Sequence, residues 1–466
     1  MIQKKVMRDL LVVLPGILGS TLQLHGKEIW GLRTGTIVSS LFALGQNFKR
    51  LTLPAGVGHN DPEDGITPGR LMPSAQIIPG FWNLVDGYTE LVRFLESRFE
   101  LVRPSPDRAG NLIEFPYDWR LSNQLNGRRL SDRVVPELER WRKDTANPEA
   151  KLVFVCHSMG GLVARWFIEV LGGKELTRKL ITLGTPYRGS INALENLANG
   201  FAPGIGPLRI RLDEVLRSMP SVYQLLPVYK CIDGSNGEMI SLTDIEVSNL
   251  AKDNIAEARV FHDRINANTM ASTSYRIYAL KGISQPTLQS ARITAKGVEP
   301  IRSYRGEDKG GDGTVPRPSS HPPEWDDESL CVFYGQQHGS LQNNSDTLRQ
   351  IFGILTGNLG RFMGGSKIGL DLPDVTPAER DFLVGAVSEE GDESLPLQVE
   401  LRGEQSEVVA RKLMKSTGNG AYSAIFRGLP PGGYKVRVSS ASPQRSVDSV
   451  TGIALVWDEK LVELSD

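Results

Sequence analysis

The chain has 466 residues, 40% of them apolar and 23% charged, which is long for a single core and predicts two domains. Its 53 basic and 54 acidic side chains leave a formal net charge of −1, which argues against whole-chain attraction to nucleic acid or anionic lipid. The cysteines Cys156, Cys231 and Cys331 have no metal-ligand spacing, and their odd, scattered set suits free thiols in a reducing compartment.

From the N-terminus, Asp9–Leu14 reads as a short buried strand. Its apolar part is too short for a secretory core, and no run reaches the roughly 18 apolar residues of a membrane span. A cytoplasmic location is therefore the expectation. Pro15-Gly16-Ile17-Leu18-Gly19-Ser20 follows at once. A glycine-rich loop after an early strand is where esterases place half of an oxyanion hole. Ile17 is then a candidate to offer its backbone N–H, beside the plainer reading of a tight turn. Residues 28–53 are apolar without a strand period and read as a small cap, an interfacial loop or ordinary packing. Residues 55–79 are rich in Gly, Pro and Asp and read as irregular connection. Tyr88–Phe99 is helical in pattern. A strand at Asn111–Phe115 leads into Pro116-Tyr117-Asp118-Trp119-Arg120, where Asp118 and Arg120 read as a structural pair beneath the active-site face. A helix is predicted over Ser131–Thr145, ended by Asn147-Pro148.

Lys151–Gly173 carries the strongest local signal. An apolar strand pattern breaks at Cys156-His157-Ser158-Met159-Gly160-Gly161 and resumes as a helical pattern. A serine on a sharp turn between a buried strand and a helix is the layout of a nucleophile elbow. The flanking positions must be small, and Cys156 stands where the usual pattern has glycine. The N–H of Met159, at the start of the helix, is the second oxyanion candidate.

Another strand is predicted at Lys179–Leu183, implying parallel pairing. Residues 187–273 lack that regularity; the proline-broken stretches FAPGIGP and MPSVYQLLPVY read as a lid insertion. Strands at Arg276–Lys281 and Leu330–Tyr334 and a helix at Ser345–Leu355 complete the first domain. Serine needs a base, and the base needs an orienting acid. Ser158, Asp312 and His338 occur in the order serine, acid, histidine, each on a loop after a strand. Among the other histidines, His157 adjoins the nucleophile and is expected to point elsewhere, His25 and His59 precede the elbow, His262 precedes Asp312, and His321 lacks an intervening strand. Asp308 and Asp326 are rivals for the acid, but Gly311 and Gly313 flank Asp312 and let the turn aim it. The Asp308–Gly313 stretch fails as an EF-hand loop because Ser319 stands at the twelfth position.

The segments LPGILGSTL, Ile29-Trp30, PYDWRL, HSMGG, LGTPYRGS, GDGTVP and QHGSL resemble the lecithin:cholesterol acyltransferase family over roughly Leu11–Leu355. The resemblance implies an α/β-hydrolase fold with a cap and a lid. It implies Ser158 as nucleophile, Asp312 as acid, His338 as base, and Ile17 and Met159 as oxyanion donors. Members of that family move acyl chains from glycerophospholipids to an alcohol or to water. The sequence departs from secreted members in having no cysteine near Trp30 for a cap disulfide, and its lid segment is not recognisably matched.

Beyond an acidic stretch at Glu389–Glu393, residues 396–466 show short runs split by turn residues, the pattern of a small antiparallel sandwich. Tyr422–Val438 resembles the transthyretin-like, carboxypeptidase-regulatory type. The expected organisation is an α/β-hydrolase domain at 1–363 (cap about 28–80, lid about 187–273), a linker at 364–395 and a β-sandwich at 396–466. The expected activity is serine-dependent acyl hydrolysis or O-acyl transfer on lipid esters, with no cofactor, metal or nucleic acid. The cap and lid are candidates for contact with a membrane surface, and the sandwich for contact with a protein partner. The alternatives are a binding protein on a hydrolase fold and a serine hydrolase of non-lipid esters.

Overall fold

The computed structural model describes residues 3–31, 50–54, 56–73, 86–200, 213–234, 236–269, 274–325, 328, 331–358, 365–403, 407–442, 445 and 447–457. The expectations for residues 32–49, 74–85 and 201–212, including FAPGIGP and about half of the cap, lie outside these.

Six apolar runs form one wholly parallel sheet: β1 (Leu10–Leu14), β2 (Leu112–Glu114), β3 (Leu152–His157), β4 (Thr177–Leu183), β5 (Arg276–Gly282) and β6 (Val332–Tyr334). Their spatial order is β2-β1-β3-β4-β5-β6. β1 and β3 are buried at every position, as strands covered on both faces must be. The longer helices are α1 (Thr89–Arg98), α2 (Asn123–Asp144), α3 (Gly160–Val170), α4 (Ile191–Asn199), α5 (Lys252–Asn268) and α6 (Ser345–Thr356). This is an α/β-hydrolase architecture. The strand order reverses at β1, with β2 on one side of it and β3 on the other. Open α/β sheets bind ligands at the carboxyl ends beside such a reversal. β1 and β3 end there side by side, with Leu14 opposite Cys156.

The helices differ from expectation in two places. α2 begins at Asn123 rather than Ser131, because Ser122 caps it by accepting from the Leu125 N–H. Gly127, which weakens the helical pattern, faces Trp166 of α3. The second difference falls in the irregular segment 187–273, where α5 is a regular 17-residue helix. Ile255, Ala258, Phe261 and Ile265 are buried on it, and Phe261 stacks on Trp166 with ring centroids 5.4 Å apart. This part of the segment belongs to the layer that packs on α3, not to a lid. Its charged residues dilute an apolar stripe that is only visible at helical spacing.

The C-terminal strands form two sheets around their own core, which includes Val384, Val399, Val436 and Val450. The strands are β7 (Ile368–Asp371), β8 (Val375–Pro377), β9 (Phe382–Ser388), β10 (Leu397–Arg402), β11 (Val408–Leu413), β12 (Lys415–Gly418), β13 (Ala421–Phe426), β14 (Gly432–Ser440) and β15 (Val450–Trp457). The sheets run β7-β9-β13-β12 and β8-β15-β14-β10-β11. The stretch 364–395, read as linker, therefore contributes β7, β8 and β9. In β9 the residues Phe382, Val384, Ala386 and Ser388 turn inward. Gly385 and the neighbouring acidic run obscure that period-two pattern in the sequence.

Candidate active site

β3 delivers Ser158 at the reversal point. Ser158 has a positive φ of 51°, a strained conformation for a non-glycine residue that is held in place by its surroundings. Its N–H donates to the Leu183 carbonyl at 2.9 Å, and its carbonyl accepts from Gly161 N–H at 3.0 Å and Thr185 Oγ1 at 2.9 Å. Cys156 beneath the turn is fully buried, and burial pushes its thiol well above the ordinary range. Cysteine fills this position as a small packed residue, not as a reactive one.

The structure brings the three sequence-predicted residues together. Ser158 Oγ lies 2.9 Å from His338 Nε2, and His338 Nδ1 lies 2.7 Å from Asp312 Oδ2. The carboxylate fixes the tautomer: Nδ1–H donates to Asp312, leaving Nε2 to accept from the serine hydroxyl. Asp312 is itself held. Its Oδ1 accepts from the N–H groups of Thr314 (3.0 Å) and Val315 (2.7 Å), and its carbonyl accepts from His338 N–H (2.8 Å). Gly184, with φ +61°, lies where a Cβ would come within 2.9 Å of Asp312 Oδ2 and 3.0 Å of His338 Nδ1. Only glycine fits that approach without displacing the pair.

The candidate oxyanion donors sit on two elements. Met159 caps the N-terminus of α3, where the helix dipole favours negative charge. Ile17 follows β1. Among the described residues, neither N–H donates to a protein acceptor. Gly16 N–H is already taken by the Tyr88 hydroxyl at 2.8 Å. Gly16 must stay small as well, since a Cβ there would lie 2.8 Å from Ser158 Cβ. Ile17, Leu18, Pro186, Leu225 and Val315 give the pocket over Ser158 an apolar lining. Ser158 and His338 are almost completely enclosed beneath it.

The segments around the site act as clamps. Tyr117 donates to the Pro15 carbonyl at 2.9 Å, and Trp119 Nε1 to the Ser20 carbonyl at 3.1 Å, so both ends of the loop after β1 are fixed. Trp30 donates to the Leu18 carbonyl and meets Trp119 edge-on at 5.3 Å. Asp118 and Arg120 form a buried ion pair that Asp64 extends. Ser190 Oγ donates to the Thr314 carbonyl at 2.6 Å, tying the loop after β4 to the acid loop.

Sequence reasoning missed two residues of this site. His157 does not point away. Its Nε2 is 3.0 Å from the His338 carbonyl and its Nδ1 is 2.8 Å from the Tyr88 hydroxyl. Burial and the neighbouring His338 push its imidazole down to about 3, so it is neutral. The available signal was a histidine closing a strand otherwise wholly apolar. The remaining histidines lie elsewhere: His25 donates its N–H to the Gly65 carbonyl, His262 bonds the Gln224 carbonyl, His59 pairs with Glu257, and His321 lies among Arg188, Lys281 and Glu328. Asp308 bonds Gln289 and Gly310, while Asp326 lies outside the described residues. Among the described residues, no group of three or more ligating side chains is arranged to hold a metal ion, and no helix is long and apolar enough to cross a membrane.

The family model described as lecithin:cholesterol acyltransferase matches residues 101–289. That range holds Ser158 and stops before Asp312 and His338. A comparison with curated proteins gives no match. Among solved structures, the mature form of the Bacillus licheniformis lipase BlEst2 is 13% identical with a TM-score of 0.38, over 76% of this chain and 95% of the other. The phospholipase PlaB from Legionella pneumophila is 13% identical with a TM-score of 0.29, over 82% of this chain and 88% of the other. On its α/β-hydrolase fold, the chain is similar to the lecithin:cholesterol acyltransferase family over residues 101–289.

Proposed function

We propose that the chain is a serine-dependent acyl hydrolase or O-acyltransferase acting on lipid esters, with glycerophospholipids as the substrate class. The observation that carries the reading is the unbroken chain from Ser158 through His338 to Asp312, at 2.9 and 2.7 Å. Ser158 attacks the ester carbonyl, and His338 takes its proton and later returns it to the leaving alcohol. Asp312 holds the histidine tautomer and stabilises the imidazolium. The N–H groups of Ile17 and Met159 receive the oxyanion; one such donor is worth about 2.7–4 kcal/mol of barrier. Water or a second alcohol then resolves the acyl-enzyme. The family match at 101–289 and the apolar lining over Ser158 support a lipid acyl chain as the acyl group. The three free cysteines fit work in a reducing compartment.

The test is incubation with a phospholipid panel, with and without an acceptor alcohol, followed by mass spectrometry. Release of fatty acid supports hydrolysis, and a new acyl ester in the presence of alcohol supports transfer. No turnover of any phospholipid by folded protein contradicts the substrate class.

A further inference from the structure

The C-terminal sandwich is bonded to the loops that carry His338 and Asp312. Gln336 and Gln337 directly precede His338. Gln336 Oε1 accepts from the Thr451 N–H of β15 at 2.7 Å, with Gln336 almost wholly buried. Gln337 Nε2 donates to the Leu370 carbonyl of β7 at 3.4 Å. Gly452 of β15 lies against Gln337, so that a Cβ there would come within 2.5 Å of Gln337 Oε1 and 2.9 Å of Leu370 Cδ2. On the other side of the base, Lys435 of β14 pairs with Asp86, whose N–H donates to the Gly339 carbonyl at 2.8 Å.

The acid is reached in the same way. Gln285 Oε1 accepts from the Leu370 N–H at 2.9 Å, and its Nε2 donates to the Ile368 carbonyl at 3.2 Å. The same residue donates its own N–H to the Gly311 carbonyl at 3.0 Å, one position before Asp312. One side chain thus reads the backbone of β7 like a neighbouring strand while its main chain braces the acid loop. Ser158 is held differently: its backbone partners Leu183, Gly161 and Thr185 all belong to the hydrolase sheet and its loops.

We infer that the sandwich is a positioning element for the base and the acid, with Gln336 and Gln285 as its contact residues in the hydrolase domain. This inference rests on the catalytic reading above. The physical reason is geometric. Proton transfer needs His338 placed within a fraction of an ångström, and a displacement of about 1 Å costs on the order of 100-fold in rate. Contacts from three strands of the sandwich, β7, β14 and β15, bracket His338 and Asp312 and leave the nucleophile alone. The role of the sandwich is therefore in turnover, not in substrate binding.

The test uses the full chain with p-nitrophenyl butyrate as the probe. Gln336→Leu removes the acceptor of Thr451, and Gly452→Val drives a side chain into Gln337. Leu413→Ser on the exposed strand β11 is the control. Each is measured for kcat, KM and thermal unfolding. The expected result for the first two is a fall in kcat of about tenfold or more with KM changed less than about twofold. The control keeps wild-type kinetics. Wild-type kcat in both variants, folded, overturns the inference. So does a fall in kcat that only tracks the folded fraction, or a loss carried by KM instead of kcat. A wild-type protein that neither turns over the ester nor reacts at Ser158 overturns the catalytic reading itself, and with it this inference.

Discussion

The Tyr88 hydroxyl lies 2.8 Å from His157 Nδ1 and 2.8 Å from the Gly16 N–H. His157 Nε2 faces the His338 carbonyl, which can only accept, so Nε2 carries the proton and Nδ1 accepts from Tyr88. Tyr88 oxygen in turn accepts from Gly16. A buried hydrogen-bond chain therefore joins the loop bearing Ile17 to the main chain of His338, on the two flanks of Ser158. Tyr88→Phe deletes the shared oxygen and strands two buried groups. The expected cost is about 1–3 kcal/mol of stability for each unpaired group, with kcat reduced by about tenfold or more as the oxyanion loop relaxes. Denaturant unfolding and ester turnover on the same preparation check both. Unchanged values in Tyr88→Phe would show that the chain has no such role.

Acid sensitivity follows from the buried neutral histidines. Burial pushes His157 down to about 3 and His262 down to about 4, against about 6.5 in an unfolded chain. Below pH 6.5 the unfolded state takes up protons that the folded state refuses. The stabilisation is complete above that pH and is lost as pH falls toward 4 and then 3. The slope is about 1.4 kcal/mol per pH unit for each histidine. Denaturant unfolding between pH 7 and 5 is expected to show this, with a shallower slope in His262→Gln. Equal slopes in variant and wild type would refute the assignment.

Gly184→Ala is predicted to damage turnover more than folding. The left-handed backbone costs a non-glycine residue roughly 1–2 kcal/mol, while the new Cβ presses on Asp312 and His338. A drop in kcat of about 100-fold is expected, with most of the protein still folded by circular dichroism. Retained activity would mean that the base and acid tolerate the displacement.

Arg120→Met leaves the Asp118 carboxylate buried without its main partner. Breaking such a pair typically costs about 3–5 kcal/mol, and equilibrium unfolding in urea measures it. A loss under 1 kcal/mol, on the order of a surface ion pair, would show that water reaches Asp118 once Arg120 is gone.

The parallel sheet and the elbow were legible because their signals are local: an apolar run, a break at small residues, and a helical stripe. Asp312 and His338 were legible from chain order and glycine context. Other features depend on contacts between segments far apart in sequence. His157 reads as a bystander until Tyr88, 69 positions away, is folded onto it. α5 hides its stripe among charges until Trp166 covers Phe261. The strands at 368–388 pass for linker because β7 and β9, paired with each other, join a larger sheet only when β13 returns beside β9. The docking of Gln336 and Gln285 on the sandwich has no sequence signature, since a glutamine that bonds backbone looks like any other.

The proposed chemistry requires Ser158 to be an activated nucleophile. The most direct measurement is labelling of the full chain with a fluorophosphonate probe, with the modified peptide mapped by mass spectrometry. The account predicts a single adduct on Ser158, absent in Ser158→Ala and strongly slowed in His338→Ala. An adduct that persists in Ser158→Ala, or that maps to another residue in the wild type, would contradict it.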